Sequence, residues 1–139
     1  MQPFLDYQDK GIFILCRTSN PGGSDIQNLM LDSGLTIYEH VAQKAANDWN
    51  EHNNVALVVG ATRPEEIGRI RSIVGDMEFL LPGVGAQGAD IQQLMDNGRG
   101  GGLTISASRS VIYASVASDF AGAARRVADQ TRQEINRYR

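Results

Sequence analysis

The sequence predicts an α/β fold in which parallel strands alternate with helices. Short apolar runs recur at four places along the 139 residues, at 11–16, 55–59, 79–81 and 103–106. The stretches between these runs have helical periodicity. Because the runs are continuous rather than alternating, we expect strands buried on both faces, as in a parallel sheet covered by helices.

The first long helix is predicted over residues 35–52. Its apolar positions Ile37, Val41, Ala45 and Trp49 recur at every fourth residue, which indicates one stripe facing the sheet. The same periodicity places Glu39 on the solvated side.

Three further helices have recognisable ends. Thr62 is a candidate N-cap, Glu65 would complete a capping box with it, and Pro64 suits the first turn. The next helix is predicted to begin near Asp90 and to end at 97–98, an Asn-Gly pair typical of a left-handed stop. The last runs from 118–119 to the arginine-rich end of the chain, where positive charge complements the helix dipole. Their predicted inward positions are Ile67, Ile70 and Val74; Ile91, Leu94 and Met95; and Phe120, Ala124, Val127 and Ile135.

These four βα units occupy the chain without a linker, so residues 1–139 are predicted to form a single domain. Two architectures compete, a small doubly wound sheet and a portion of a (β/α)8 barrel. A whole barrel needs roughly 250 residues. Four units in 139 residues would therefore be half of one.

Composition excludes several classes of function. The formal net charge is -3, with cations scattered among the acids, so we expect no nucleic-acid partner. No run of about 18 apolar residues is present, and we expect no membrane span. The single Cys16 and the acidic N-terminus, which lacks a signal-peptide pattern, favour a cytoplasmic protein with a small-molecule partner.

The segments after the strands are rich in glycine and small polar residues. The 83–88 loop offers unhindered backbone N–H groups, and Arg109 follows the next strand. Such groups together are typical of a phosphate site. The loop reads GxGxxG, but it follows the third strand and lacks the acidic partner of a dinucleotide site.

The strings CRTSNPG at 16–22, VVGAT at 58–62, PGVGAQG at 82–88 and SR at 108–109 resemble the bacterial branch of the orotidine 5'-monophosphate decarboxylase family. The resemblance covers nearly the whole chain. It implies the C-terminal half of a TIM barrel, strands five to eight, from an enzyme that makes UMP in pyrimidine biosynthesis without metal or organic cofactor.

The resemblance also implies roles for individual residues. Ser19 would contact the pyrimidine ring, Gln87 would lie along the phosphate and ribose, and Arg109 would grip the phosphate. The remaining implied binding residues are Pro82 and Val84, which would line the pocket, and Gly83, Gly85 and Gly88 of the phosphate loop.

One family feature is absent. Members of the family decarboxylate with a D-x-K-x-x-D motif, whereas the only lysines here, Lys10 and Lys44, lack that context. We therefore expect no catalytic residue in this chain. Two hypotheses follow, a piece of a decarboxylase whose other half is separate, and a non-catalytic nucleotide- or phosphate-binding half-barrel. An unrelated doubly wound phosphate binder is a third.

A half-barrel would expose its edge strands and inner face, so we expect a homo-oligomer or a complementary N-terminal half-barrel as partner. Other reactive side chains have structural explanations. His40 and His52 lack partners at metal-ligand spacing, and Cys16 in a buried strand is expected to be an inert core thiol. Capping or solvated roles are expected for Asp25 and Asp32.

Overall fold

A computed structural model of the chain describes residues 1–85 and 90–139. Four strands form a sheet with the order β1-β2-β3-β4, and every neighbouring pair is parallel. The strands are β1 (Ile12–Arg17), β2 (Val55–Val59), β3 (Phe79–Pro82) and β4 (Leu103–Ser106). The four predicted strands are confirmed, with ends that differ by one residue at most.

Helices separate the strands. The four predicted helices are α3 (Ile37–Asn47), α4 (Pro64–Val74), α5 (Ile91–Gly98) and α7 (Phe120–Arg137). The short helices α1 (Gln2–Leu5), α2 (Gly23–Gln27) and α6 (Arg109–Ile112) were not predicted. The strand order follows the chain without the reversal of a doubly wound sheet. The architecture is half of a TIM barrel.

The two faces of the sheet differ. The helix-covered face holds the core, in which Leu57, Phe79 and Leu81 have no exposed surface. On the opposite face, Phe13 and Leu15 of β1 are 49% and 59% exposed. The prediction that the strands are buried on both faces is therefore wrong for β1, because helices pack on one face only.

Helix α3 differs from its prediction in length and orientation. It begins at Ile37 and ends at Asn47 instead of spanning 35–52. Its buried residues are Tyr38, Glu39, Ala42 and Ala45, so the buried stripe is turned by about one residue from the predicted one. The placement of Glu39 on the solvated side is wrong.

Polar contacts explain this burial of Glu39. Its carboxylate accepts hydrogen bonds from the backbone N–H and the hydroxyl of Thr36, each at 2.7 Å, which closes a capping box at the start of α3. Arg69 of α4 also donates to it. Burial alone would raise the pKa of the Glu39 carboxyl, but the hydrogen bonds from Thr36 and Arg69 lower it below its usual value.

The other helix ends agree in part with the ends predicted from the sequence. Pro64 occupies the first turn of α4 as predicted, but the N-cap is Arg63 and the predicted Thr62 capping box is wrong. Asp90 caps α5 through the N–H of Gln93 at 3.1 Å. The helix ends at Gly98, as predicted, but the left-handed glycine is Gly100 and not Gly98.

Helix α7 begins after Asp119, as predicted. Its inward residues Val127 and Ile135 are partly buried. Phe120, predicted to face inward, is 62% exposed, whereas Ala123 is buried. Helix α7 packs against α6 and α5, and Phe120 in its first turn lies outside this packing.

A buried arginine joins the ends of several elements. Arg71 of α4 donates to the carbonyl oxygens of Gly98, Gly75 and Met77 at 3.0, 2.8 and 2.6 Å. Its guanidinium lies 3.8 Å from the centroid of the Phe79 ring. Burial lowers the pKa of Arg71 from its ordinary value. This side chain connects α4 to the end of α5 and to the turn before β3.

Cys16 lies in the core, as predicted. Its side chain is 2% exposed, and its Sγ donates a hydrogen bond to the backbone oxygen of Tyr38 at 3.2 Å. Burial raises the pKa of the Cys16 thiol to about 12, which the charge of neighbouring Arg17 offsets only in part. At neutral pH the residue is a thiol and not a nucleophilic thiolate.

Glu39→Gln should lower the free energy of unfolding at pH 7 by about 1 to 2 kcal/mol, mostly through the Thr36 contacts, because solvent screens the exposed Arg69. The Glu39 pKa is lower in the folded chain than the unfolded value of ~4.3. The stabilisation is therefore present above the unfolded pKa and is lost as pH falls through the folded one. Urea unfolding at several pH values should show the difference shrinking below about pH 4. Exposed Glu51→Gln is the control, and a difference that stays constant down to acidic pH contradicts the assignment.

Cys16 should resist alkylation in the folded chain. Its thiol is buried and its pKa of about 12 leaves almost no thiolate at pH 8, so iodoacetamide should react only in step with unfolding. Mass spectrometry across a urea series measures the modified fraction. Complete alkylation in the absence of urea, while circular dichroism still reports a folded chain, would exclude the buried thiol.

Candidate functional site

The carboxyl ends of β1, β2 and β3 meet at one edge of the sheet. Because the strands are parallel, the segments that follow them converge there. They form an open pocket of about 250 Å³ lined by three of the predicted site residues, Ser19, Pro82 and Gly83. Its other lining residues are Leu15, Arg17, Thr18, Asn20, Val58 and Gly60.

A larger cleft of about 570 Å³ lies at the opposite end of the sheet. It is bounded by residues 99–103 before and within β4 and by the end of α7. The cleft follows the uncovered edge of β4, and none of the predicted site residues lines it. The smaller pocket is the candidate site, because in parallel α/β folds the functional groups lie at the carboxyl ends of the strands.

The turn after β2 supports the segment after β1. The N–H of Gly60 donates to the carbonyl oxygen of Arg17 at 2.8 Å. A Cβ at position 60 would lie 2.3 Å from the Ser19 Oγ and 2.8 Å from its backbone nitrogen. A side chain there would displace Ser19, so this contact requires glycine.

Arg17, the last residue of β1, lines the pocket wall. Its side chain is only 1% exposed, and its Nε and one terminal nitrogen bind both carboxylate oxygens of Glu66 at 2.7 and 2.9 Å. The hydrogen bond with Glu66 raises the pKa of Arg17 above its ordinary value. Arg17 therefore connects α4 to the pocket wall. This role of Arg17 was not predicted from the sequence, although an arginine directly after an apolar strand is a visible signal.

The loop after β3 meets the segment after β4, as predicted. Gly83 and Gly85 have positive φ angles of 112° and 85°. A Cβ at Gly85 would lie 2.6 Å from the Oγ of Ser110, which directly follows Arg109 in α6. This contact places the loop after β3 beside the start of α6, where Arg109 has an exposed side chain. Backbone N–H groups of a glycine-rich turn and an arginine in the neighbouring segment can together bind an anion.

The remaining predicted site residues have different environments. Val84 is 2% exposed and packs in the core, so its side chain presents little surface to a ligand. Gln87 and Gly88 lie outside the described residues.

Side chains considered for other chemistry lie elsewhere. Lys10 forms an exposed ion pair with Asp9 before β1, and Lys44 pairs with Asp48 at the end of α3. Within residues 1–85 and 90–139, no group of three His, Cys, Asp or Glu side chains could hold a metal ion. In the same ranges no helix is both long and apolar enough to cross a membrane.

Sequence comparison gives a consistent match. Residues 1–127 match the family described as orotidine 5'-phosphate decarboxylase / HUMPS. The chain is 56% identical over 142 aligned positions to the orotidine 5'-phosphate decarboxylase of Cupriavidus necator and 51% identical to that of Aromatoleum aromaticum. Each alignment covers all of this chain and 52% of the relative. The chain thus spans about half the length of the curated relatives it matches.

Solved structures show the same relation. The Leishmania donovani UMP synthase structure superposes with a TM-score of 0.80 at 39% identity, covering 96% of this chain and 30% of that chain. The Leishmania donovani OMP decarboxylase gives a TM-score of 0.79 at 37% identity, covering 99% of this chain and 51% of that one. The similarity therefore extends through nearly all of the half-barrel.

Proposed function

Because the chain belongs to the orotidine 5'-phosphate decarboxylase / HUMPS family, we propose that it is the nucleotide-binding half of an orotidine 5'-monophosphate decarboxylase, strands five to eight of the barrel. The observation that carries this proposal is the pocket at the strand ends, where Ser19, Pro82 and Gly83 lie together. The family match excludes the unrelated doubly wound phosphate binder. The ligand class is a pyrimidine nucleoside monophosphate.

The phosphate would bind between the loop after β3 and the segment after β4. Arg109 can offer two parallel N–H groups to a phosphate, and the glycine-rich sequence at 83–88 would add backbone N–H groups. The contact between Gly85 and Ser110 supports a common site for both sets of donors. Ser19, on the wall of the neighbouring pocket, would contact the base.

Decarboxylation needs groups that this half does not supply. Loss of carbon dioxide leaves a carbanion, which a placed ammonium must protonate and stabilise. Neither lysine suits this role, because Lys10 precedes β1 and Lys44 is paired with Asp48 on α3. The reacting lysine and carboxylates would therefore come from a complementary half-barrel.

The exposed face of the sheet supports such a partner. Phe13 and Leu15 present apolar surface to solvent, and β1 and β4 are the outer strands of the described sheet. Strands that complete a barrel would pair with both edges and would cover these side chains. We propose the N-terminal half-barrel of the family as this partner, with self-association as the alternative.

Arg109→Ala should weaken UMP binding roughly ten- to a hundredfold, because a charge-assisted hydrogen bond contributes about 1.5 to 3 kcal/mol. Calorimetry on both proteins measures the dissociation constants. Arg125→Ala is the matched control, since that arginine is 86% exposed on α7. Equal UMP affinity of the parent and Arg109→Ala removes the phosphate assignment.

Ser19→Ala gives a second arm of this binding experiment. It should weaken binding of UMP and leave binding of inorganic phosphate unchanged, because the Ser19 role is at the base. A parent chain that binds no UMP at millimolar concentration refutes the proposed function.

The 139-residue chain alone should give no turnover of orotidine 5'-monophosphate, and a purified N-terminal half of the Cupriavidus relative should restore it. Loss of substrate absorbance measures the reaction, and sedimentation at several concentrations measures assembly. The mixture should sediment as a complex that neither half forms alone. Turnover by the isolated chain after repurification would contradict this division of roles, and a monomer whose sedimentation the added half leaves unchanged would contradict the proposed partner.

A further inference from the structure

Gln27, the last residue of α2, is the meeting point of three hydrogen bonds. Its Oε1 accepts from a terminal nitrogen of Arg17 at 2.7 Å, and from the backbone N–H and the hydroxyl of Thr18, each at 3.1 Å. A single side-chain oxygen therefore fixes both the backbone and the side chain of Thr18. The side chain of Gln27 is not among the groups that line the pocket.

The volume around Thr18 is also restricted. A Cβ at Gly23 would lie 2.4 Å from the Thr18 hydroxyl and 3.2 Å from Gln27 Oε1. The first turn of α2 thus presses against the same atoms that Gln27 binds. Packing and hydrogen bonding together leave Thr18 one position.

The other end of the network is equally constrained. Arg17 is held by both oxygens of Glu66, and a terminal nitrogen also donates to Ser24 at 3.3 Å. The guanidinium lies 5.2 Å from the centroid of the Tyr38 ring. Because Arg17 cannot shift, it orients the Gln27 amide so that the oxygen points to Thr18.

The hydrogen bonds of Gln27 fix the residue next to Ser19, the proposed contact to the base. Thr18 directly precedes Ser19, whose Oγ and backbone pack against Gly60 on the opposite side. Ser19 is thus located between a hydrogen-bonded neighbour and a glycine turn. A shift of Thr18 would move the Ser19 hydroxyl along the pocket wall, whereas the Gly85 and Ser110 contact belongs to a different pair of loops.

We propose that Gln27 is a positioning residue of the nucleotide site, which holds Ser19 through Thr18 and thereby sets affinity for the base but not for the phosphate. This inference rests on the proposed function. The required chemistry is a neutral or anionic oxygen at the end of a four-atom side chain, since all three of its partners are donors.

Gln27→Met removes the acceptor and keeps the length of the side chain. The UMP dissociation constant should rise about tenfold or more, which is about 1.4 kcal/mol. The dissociation constant for ribose 5-phosphate, which has no base, should stay within about twofold. Gln27→Glu keeps an acceptor oxygen beside Arg17 and should bind UMP nearly as well as the parent chain. Gln43→Met, on the exposed part of α3, is the matched control.

Calorimetry with UMP and with ribose 5-phosphate measures these constants, and urea unfolding reports the stability of each variant. Thr18→Val removes only the hydroxyl donor and gives a milder second variant, expected to raise the UMP constant by a few fold. Unchanged UMP binding in Gln27→Met, or equal weakening for both ligands, overturns the positioning role. Equal losses in Gln27→Met and Gln27→Glu overturn it too. If the parent chain binds neither ligand, the proposed function is wrong. If the parent binds UMP but the Gln27 variants do not behave as expected, only the positioning role of Gln27 is wrong.

Discussion

The ion pair between Arg17 and Glu66 is the constraint on which the pocket depends. An arginine that is 1% exposed must be neutralised, because an unpaired buried charge destabilises a fold by about 3 to 5 kcal/mol. Glu66 comes from α4, 49 residues along the chain, so the pair connects the end of β1 to the helix after β2. The first two βα units cannot move independently while it persists. The same ion pair therefore restrains the loops between these two units, and those loops form the pocket wall.

The sheet presents a contrast between its two faces. The helix-covered face contains the core around Leu57 and Phe79, which gives the half-barrel a hydrophobic interior of its own. The opposite face exposes Phe13 and Leu15, side chains that layers from other strands cover in a complete barrel. The half-barrel therefore has a core of its own, whether or not the barrel is complete. The pocket lies at the carboxyl ends of the strands, and the loops of this half determine its shape.

The sequence predicted strand positions closely because an apolar run of three to six residues is a local signal. It also located the start of α5 near Asp90 and Pro64 as a first-turn residue, since both signals act through neighbouring backbone. Helical periodicity failed where polar contacts decide. It gives Glu39 a solvated position, but Glu39 is buried because Thr36 at the start of α3 and Arg69 on α4 bind its carboxylate. The candidate site is similar, because a motif pointed to Ser19, whereas Gln27 on α2 and Glu66 on α4, which hold the segment before it, belong to no motif.

Binding and rate acceleration are distinct uses of the same contacts. An arginine that grips the phosphate holds substrate, product and transition state alike, so its binding energy lowers the barrier only when it positions the reacting carbon against other groups. In the proposed assignment, a half-barrel that supplies only Arg109 and Ser19 would give uniform binding. The same residues would contribute to catalysis only after a second half placed an ammonium beside the carboxylate that is lost. The chain matches its relatives along its whole length but spans about half of theirs, so the proposal gives nucleotide binding to this half and decarboxylation to the assembled barrel.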